Sequence, residues 1–317
     1  MNVVNVVPMP LSSVPPPRTT APHRPVLTDE IVAAIQPRSG GVYVDATLGA
    51  GGHTMALLGA GAGHVIGIDR DRRALATAAE RLDRLSPRVE LRHARFSQLR
   101  EELAALGIDS VDGVIADVGL SSMQLDVADR GMSFRREGPL DMRMDRDRGE
   151  TAGELLERLT DDELTEVLLK LGEERRARRV ARCVKQDLRT GRLETTRDLR
   201  RSVVRAVGPA RVGGVDPATR TFQALRMAVN GELDELEQLM DAAAAVVVPG
   251  GVVAVVSFHS LEDRIVKRKL RDDPLWQPLS KKPIVPGDQE VFENPRARSA
   301  KLRAAKRLAR AEGEAER

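Results

Sequence analysis

Apolar, β-branched runs recur at residues 42–46, 64–69, 89–93, 113–118 and 252–258, each bounded by Gly, Asp or other turn-forming residues. Runs of this kind read as strands buried on both faces, the mark of a parallel sheet. Between the first four lie stretches with helical spacing of apolar positions, RRALATAAERLDRL at 72–85 and SQLREELAAL at 97–106. Strand and helix in alternation specify a doubly wound α/β fold, whose ligand sites lie beyond the carboxyl ends of the strands.

The alternation breaks after the fourth strand. No strand-like run follows until GGVVAVVSF near residue 251, and the pattern between is helical, at 152–159, 161–170, 174–189 and 196–207. The stretch 231–247 then reads as the helix feeding the fifth strand, with Pro249, Gly250 and Gly251 as its stop signal. The expectation is a discontinuous sheet domain at 22–138 and 231–317, with an all-helical domain inserted at 139–230. Residues 1–21 are Pro-rich and lack the basic start and apolar block of a signal peptide, so they read as a disordered tail.

Composition narrows the class. A 41% hydrophobic and 31% charged chain is expected to be soluble and globular, and no apolar run is long enough to span a bilayer. The single cysteine, Cys183, cannot form an intrachain disulfide or a Cys-rich zinc site, which fits a cytoplasmic protein. Net charge is only +3, but it is unevenly spread. Between Arg175 and Arg211 thirteen Arg or Lys stand against three acidic residues, and from Arg296 to Arg310 seven basic residues face none. Two such segments suit a polyanionic partner, because each phosphate neutralised releases counterions; solvated helix faces would have the same composition. Five Phe, one Trp and one Tyr are too few for a multi-base stacking platform, so nucleic-acid binding would rest on Arg and Lys.

In VDATLGAGGH, residues 44–53, a strand leads straight into Gly49, Gly51 and Gly52, and a helix-like TMALLGA follows. Glycines here let backbone turn sharply against a ligand. The dinucleotide fingerprint needs glycine at position 54, where this chain has Thr54. Asp69 ends the next strand, where an acid can accept hydrogen bonds from both hydroxyls of an adenosine ribose; a helix cap is its plain alternative. Asp117 ends the fourth strand and leads into a Gly-Leu-Ser-Ser turn. An acceptor there suits methylation of an exocyclic amine, whose lone pair is delocalised and whose N–H groups must be held for in-line attack.

The segments GGVYVDATLGAGGH, IGIDRD, DVGLSSMQLDVADRGMSFRREGPLDMRMD, GEER, RTFQALRMAVNGELDELE, VVSFHSLEDRIVK and NPRARSAKLR resemble, in order, the signatures of the MraW/RsmH family from about His23 to Leu308. The resemblance implies a class I, Rossmann-like methyltransferase that uses S-adenosyl-L-methionine to methylate N4 of a cytosine in the decoding region of 16S rRNA. It implies that Gly51, Gly52 and His53 hold the methionine end of the cofactor and Asp69 the ribose. Phe96 would lie beside the adenine, with Asp117 and Gln124 completing the contacts. Met123 departs from the family's proline at that place, and the tail before His23 has no counterpart.

Asp117 is the expected catalytic residue. His259, in SFHS after the fifth strand, is a second candidate, able to meet the base or a phosphate or to take a proton. Phe134 could stack on an extruded cytosine or pack in a core. The chemistry requires no metal, and the H-x-E and P-C-x-x-C ligands of a zinc deaminase are missing. The expected partner is 16S rRNA in the small ribosomal subunit, without a membrane; a homodimer is compatible with the sequence. Two rival readings share the sheet: an NAD-dependent oxidoreductase, disfavoured by Thr54 and the Asp117 turn, and a non-catalytic RNA-binding assembly factor.

Overall fold

The computed structural model describes residues 25–119, 124–125, 127–209 and 214–309. The Pro-rich tail, Ser121, Ser122, Met123, Arg211 and Arg310 lie outside the described residues.

The five apolar runs form strands in one sheet: β1 (Val42–Asp45), β2 (His64–Asp69), β3 (Val89–His93), β4 (Val111–Asp117) and β5 (Val247–Ser257). Two further strands, β6 (Trp276–Pro278) and β7 (Lys301–Arg307), complete the seven-stranded order β3-β2-β1-β4-β5-β7-β6. The first five run parallel, and β7 enters antiparallel between β5 and β6. Alternation along each strand divides the core. Val44, Ile66, Val114 and Val253 face one apolar cluster, while Tyr43, Val65, Ile115 and Ala254 face another.

Helices cover both faces, as a parallel sheet requires. On the second face lie α1 (Thr28–Ile35) and α2 (Gly52–Gly59), through Ile31, Ile35, Leu57 and Leu58. The helix α3 (Arg72–Leu82) follows β2 and buries Ala78 and Leu82 with Leu48. On the first face lies α4 (Leu99–Ala105), through Leu99 and Leu103.

The stretch between β4 and β5 is helical, as its periodicity predicts: α5 (Ala152–Arg158), α6 (Asp161–Lys170), α7 (Ala177–Arg189), α8 (Thr196–Val207) and α9 (Thr219–Asn230). Thr151, Thr160 and Thr195 each open a helix with a reciprocal capping box, so three of these starts are specified locally. The helices share an apolar cluster of their own, which also takes in Met132 and Met142. Return to the sheet is through α10 (Glu232–Val246), which packs Leu236, Leu239 and Met240 on the first face. The remaining helices are α11 (Ser260–Asp272) and α12 (Asp288–Glu293). No helix of the described residues is long and apolar enough to cross a membrane.

Two expectations change. Pro249 and Gly250 do not separate helix from strand: β5 begins at Val247 and carries them where its register against β4 shifts. A Pro and a Gly are tolerated in a strand at such an irregularity. The basic tail from Arg296 is also not a free arm. It holds β7, with Leu302, Ala304 and Ala305 buried, while Arg303 pairs with Asp263 and Arg307 with Asp273.

The helical region meets the sheet through buried polar groups. Asp71 caps α3 by accepting from the Arg73 N–H, accepts from Gln124 Nε2 at 3.1 Å and pairs with the buried Arg130 guanidinium. Arg130 also donates to the Met144 carbonyl at 3.0 Å. Asn230 donates to the Met142 carbonyl and accepts from the Met144 N–H, both at 2.8 Å, bracketing the same segment from the other side. Breaking a buried pair strands a charge, so Arg130→Met should cost about 3–5 kcal/mol in urea unfolding. Adding Asp71→Asn, which keeps a capping oxygen and removes the stranded charge, should restore part of that loss; additive losses would contradict this account.

Candidate active site

The loop after β1 closes through its own backbone. Gly49 and Gly51 hold positive φ of 52° and 75°, and Gly49 donates its N–H to Asp69 Oδ2 at 2.8 Å. A Cβ on Gly51 would sit 2.8 Å from Leu82, and one on Gly52 2.2 Å from Pro25. Both positions therefore need glycine for protein packing against Leu82 and Pro25. Thr54 serves a neighbour inside the protein, since its hydroxyl donates to the fully buried Asp45 at 2.8 Å. Glycine at 54 would leave that carboxylate without this donor.

A cavity opens over the carboxyl ends of β1, β2 and β4. Among its lining residues are Gly52, His53, Asp69, Phe96, Asp117 and Gln124. Six of the seven residues expected to hold the cofactor thus converge on one wall, and the seventh, Gly51, caps α2 directly beside them. Asp69 also accepts from the Asp71 N–H at 2.8 Å. Burial nevertheless pushes its carboxyl up to about 6, against these backbone donors that favour the ionised form. Phe96 is buried, with the Arg70 guanidinium 5.8 Å from its ring centre.

Asp117 is anchored by its N–H, which donates to Thr47 Oγ1 at 2.6 Å. Its Oδ2 lies 3.5 Å from His53 Nε2, while its buried Oδ1 has no hydrogen-bond partner among the described residues. Burial disfavours a charged His53, yet Asp117, together with Asp45 and Glu290, outweighs it and holds the imidazole above its ordinary pKa. His53 Nε2 thus stands beside one carboxylate oxygen of a side chain that lines the cavity. A carboxylate at that place can accept a hydrogen bond from an N–H presented there.

His259 does not join this cavity. It is the N-cap of α11, and its Nε2 lies 2.8 Å from Glu262 Oε1. Phe258, its neighbour, lines the cavity instead. Phe134 packs edge-on against Phe222 at 5.2 Å and joins the helical cluster, so its ring is a core group. Arg70, Met144 and Glu232 line the cavity without having been singled out from sequence. Arg70 stands within IGIDRD, but only the long-range fold shows its side chain reaching Met144 and the Asn230 carbonyl.

Residues 20–308 match the MraW methylase family. The chain is 64% identical over 312 residues to a protein named ribosomal RNA small subunit methyltransferase H from Sorangium cellulosum, covering 98% of this chain and 99% of the relative. Proteins of the same name from Bradyrhizobium diazoefficiens and a Synechococcus species are 49% and 46% identical, covering 91% and 97% of this chain and 92% and 99% of the relatives.

The Asp69 carboxyl should be neutral below about pH 6 and ionised above it in the ligand-free protein. Because the folded state then holds more protons than the unfolded chain between about pH 4 and pH 6, stability should fall as pH rises through that window, and Asp69→Asn should remove this component. Carboxyl-carbon NMR of labelled aspartates would locate the midpoint. A titration of Asp69 near pH 4 would contradict its desolvated placement.

Proposed function

From its membership of the MraW methylase family, to which this chain belongs, we propose that it methylates the exocyclic N4 of a cytosine in the decoding region of 16S rRNA in the small ribosomal subunit, with S-adenosylmethionine as donor. The observation that carries the chemical assignment is the Asp117 carboxylate at the end of β4, which lines the cavity with His53 Nε2 3.5 Å from its Oδ2. S-adenosylmethionine, when bound, supplies an activated methyl group on its sulfonium sulfur.

The cavity residues fit that donor. Asp69 is the acceptor for the ribose hydroxyls, and Phe96 the apolar wall for the adenine. His53 and the Gly51-Gly52 backbone frame the methionine end, with Gln124 closing the side next to Asp71. Asp117 takes a hydrogen bond from the cytosine amine, aligns its weak nucleophilic lone pair and receives the proton that must leave as the N–C bond forms. His53, whose Nε2 lies 3.5 Å from Asp117 Oδ2, positions that carboxylate. The chemistry belongs to residues 22–138 and 231–317, and recognition of the RNA to the helical insertion at 139–230.

An NAD-dependent oxidoreductase is the weaker reading, since Thr54 serves Asp45 at the position where a dinucleotide loop needs glycine. Calorimetry separates the two: S-adenosylmethionine should bind and NAD should not. With labelled donor, the wild type should transfer methyl to small subunits from cells lacking the enzyme, and Asp117→Ala should lower kcat at least about a hundredfold while unfolding normally. An Asp117→Ala protein with wild-type turnover would overturn the assignment. A wild type that binds the donor but never methylates would support a non-catalytic assembly factor instead.

A further inference from the structure

The basic segment that begins at Arg175 is less free than its composition suggests. Arg189, Arg192, Arg197, Arg200, Arg201 and Arg205 each pair with a carboxylate. Arg176 donates to the Val207 carbonyl, and Lys185 is buried against the Leu156 and Leu159 carbonyls. These eight residues hold the helical region together. In the C-terminal basic segment Arg303 and Arg307 are likewise tied into β7 by ion pairs, and Arg307 also stacks over Trp276 at 4.8 Å.

Four arginines are left over. Arg175, Arg178, Arg179 and Arg182 are exposed and have no hydrogen bond or ion pair from their side chains among the described residues. Their spacing of three, four and seven places them on one stripe running from the turn before α7 along its first two turns. The buried residues Ala177, Val180, Ala181 and Val184 repeat the same spacing two positions later, about 200° round the helix, so the stripe faces solvent. No acidic residue occupies the first turn of α7, although the helix dipole disfavours cations at that end. Folding stability gives no reason to gather unpaired arginines there.

The stripe also starts next to the N-terminal end of α11, which follows the cavity-lining Phe258. Glu173, two residues before Arg175, accepts from Ser260 Oγ at 3.1 Å and lies 3.7 Å from Arg264, while Phe258 lines the cavity. We propose that Arg175, Arg178, Arg179 and Arg182 form the track that holds the phosphate backbone of the RNA strand entering the active site. This deepens the function proposed above and rests on its RNA substrate. Arginine suits such a track because its planar fork meets phosphate oxygens in pairs, and an unneutralised row of them gains counterion release on contact.

The test replaces all four by Gln and, separately, all four by Lys, with Arg84→Gln, Arg100→Gln, Lys281→Gln and Lys282→Gln together as a control of equal charge on other exposed sites. Probes are small ribosomal subunits from cells lacking the enzyme and a naked 16S rRNA transcript, with calorimetry against S-adenosylmethionine reporting an intact cofactor site. The Gln stripe should weaken binding to both probes by about tenfold or more and reduce the slope of log affinity against log salt by about 2 to 3. The Lys stripe should recover most of the slope, and the control should stay within about twofold of wild type. A Gln stripe that behaves like the control would overturn the track while leaving the proposed methylation standing. Loss confined to intact subunits would overturn it in favour of a ribosomal-protein contact. A wild type that binds neither probe would overturn both the track and the RNA substrate.

Discussion

The buried carboxylate of Asp71 is the constraint on which the rest of the site depends. One group caps α3, receives Gln124 and pairs with Arg130, so it ties the end of β2 to the segment after β4. Burying an ion pair is costly unless its remaining donors and acceptors are satisfied. Here they are: Arg130 donates another N–H to the Met144 carbonyl, and Asn230 binds the same segment from α9. Gln124, Met144 and Arg70 reach the cavity because this bracket holds them there. The helical insertion is thereby part of the cavity wall as well as a neighbour of it.

Electrostatics inside the cavity follow from the same distribution of partners. Asp45 is satisfied by Thr54 and the Thr47 N–H, and Asp69 by two backbone donors. Asp117 differs from both in having a buried oxygen with no donor among the described residues, while His53 stands at its other oxygen and the residue lines the cavity.

Strand periodicity made the five parallel strands readable, because four are apolar on both faces and each ends in a polar residue, while β3, VELRH, lies at the sheet edge and is only half-buried. The insertion was readable from its helical spacing. β7 was not, since in KLRAAKR the basic residues dominate the composition and conceal the inward Leu302 and Ala304. Among the residues that line the cavity, Asp69 and Asp117 were legible as acids at strand ends, and Phe96 and Gln124 through a family resemblance. Phe258 and Arg70 were missed because their cavity contacts depend on elements far along the chain. For His259 the difficulty is different: its tie to Glu262 is local, and nothing in SFHS alone distinguishes a helix cap from a ligand. Likewise, composition shows thirteen basic residues from Arg175 to Arg211, but only the pairing pattern separates structural arginines from the free stripe.

In the proposed function this cavity delivers a methyl group to a cytosine amine. Base-resolution mass spectrometry of 16S rRNA, from cells with the protein, without it, and with Asp117→Ala in its place, tests that most directly. The account predicts one decoding-region cytosine carrying a methyl on N4 in the first case and lacking it in the other two. An unchanged mark without the protein, or a methyl lost from a different atom or base, would contradict it.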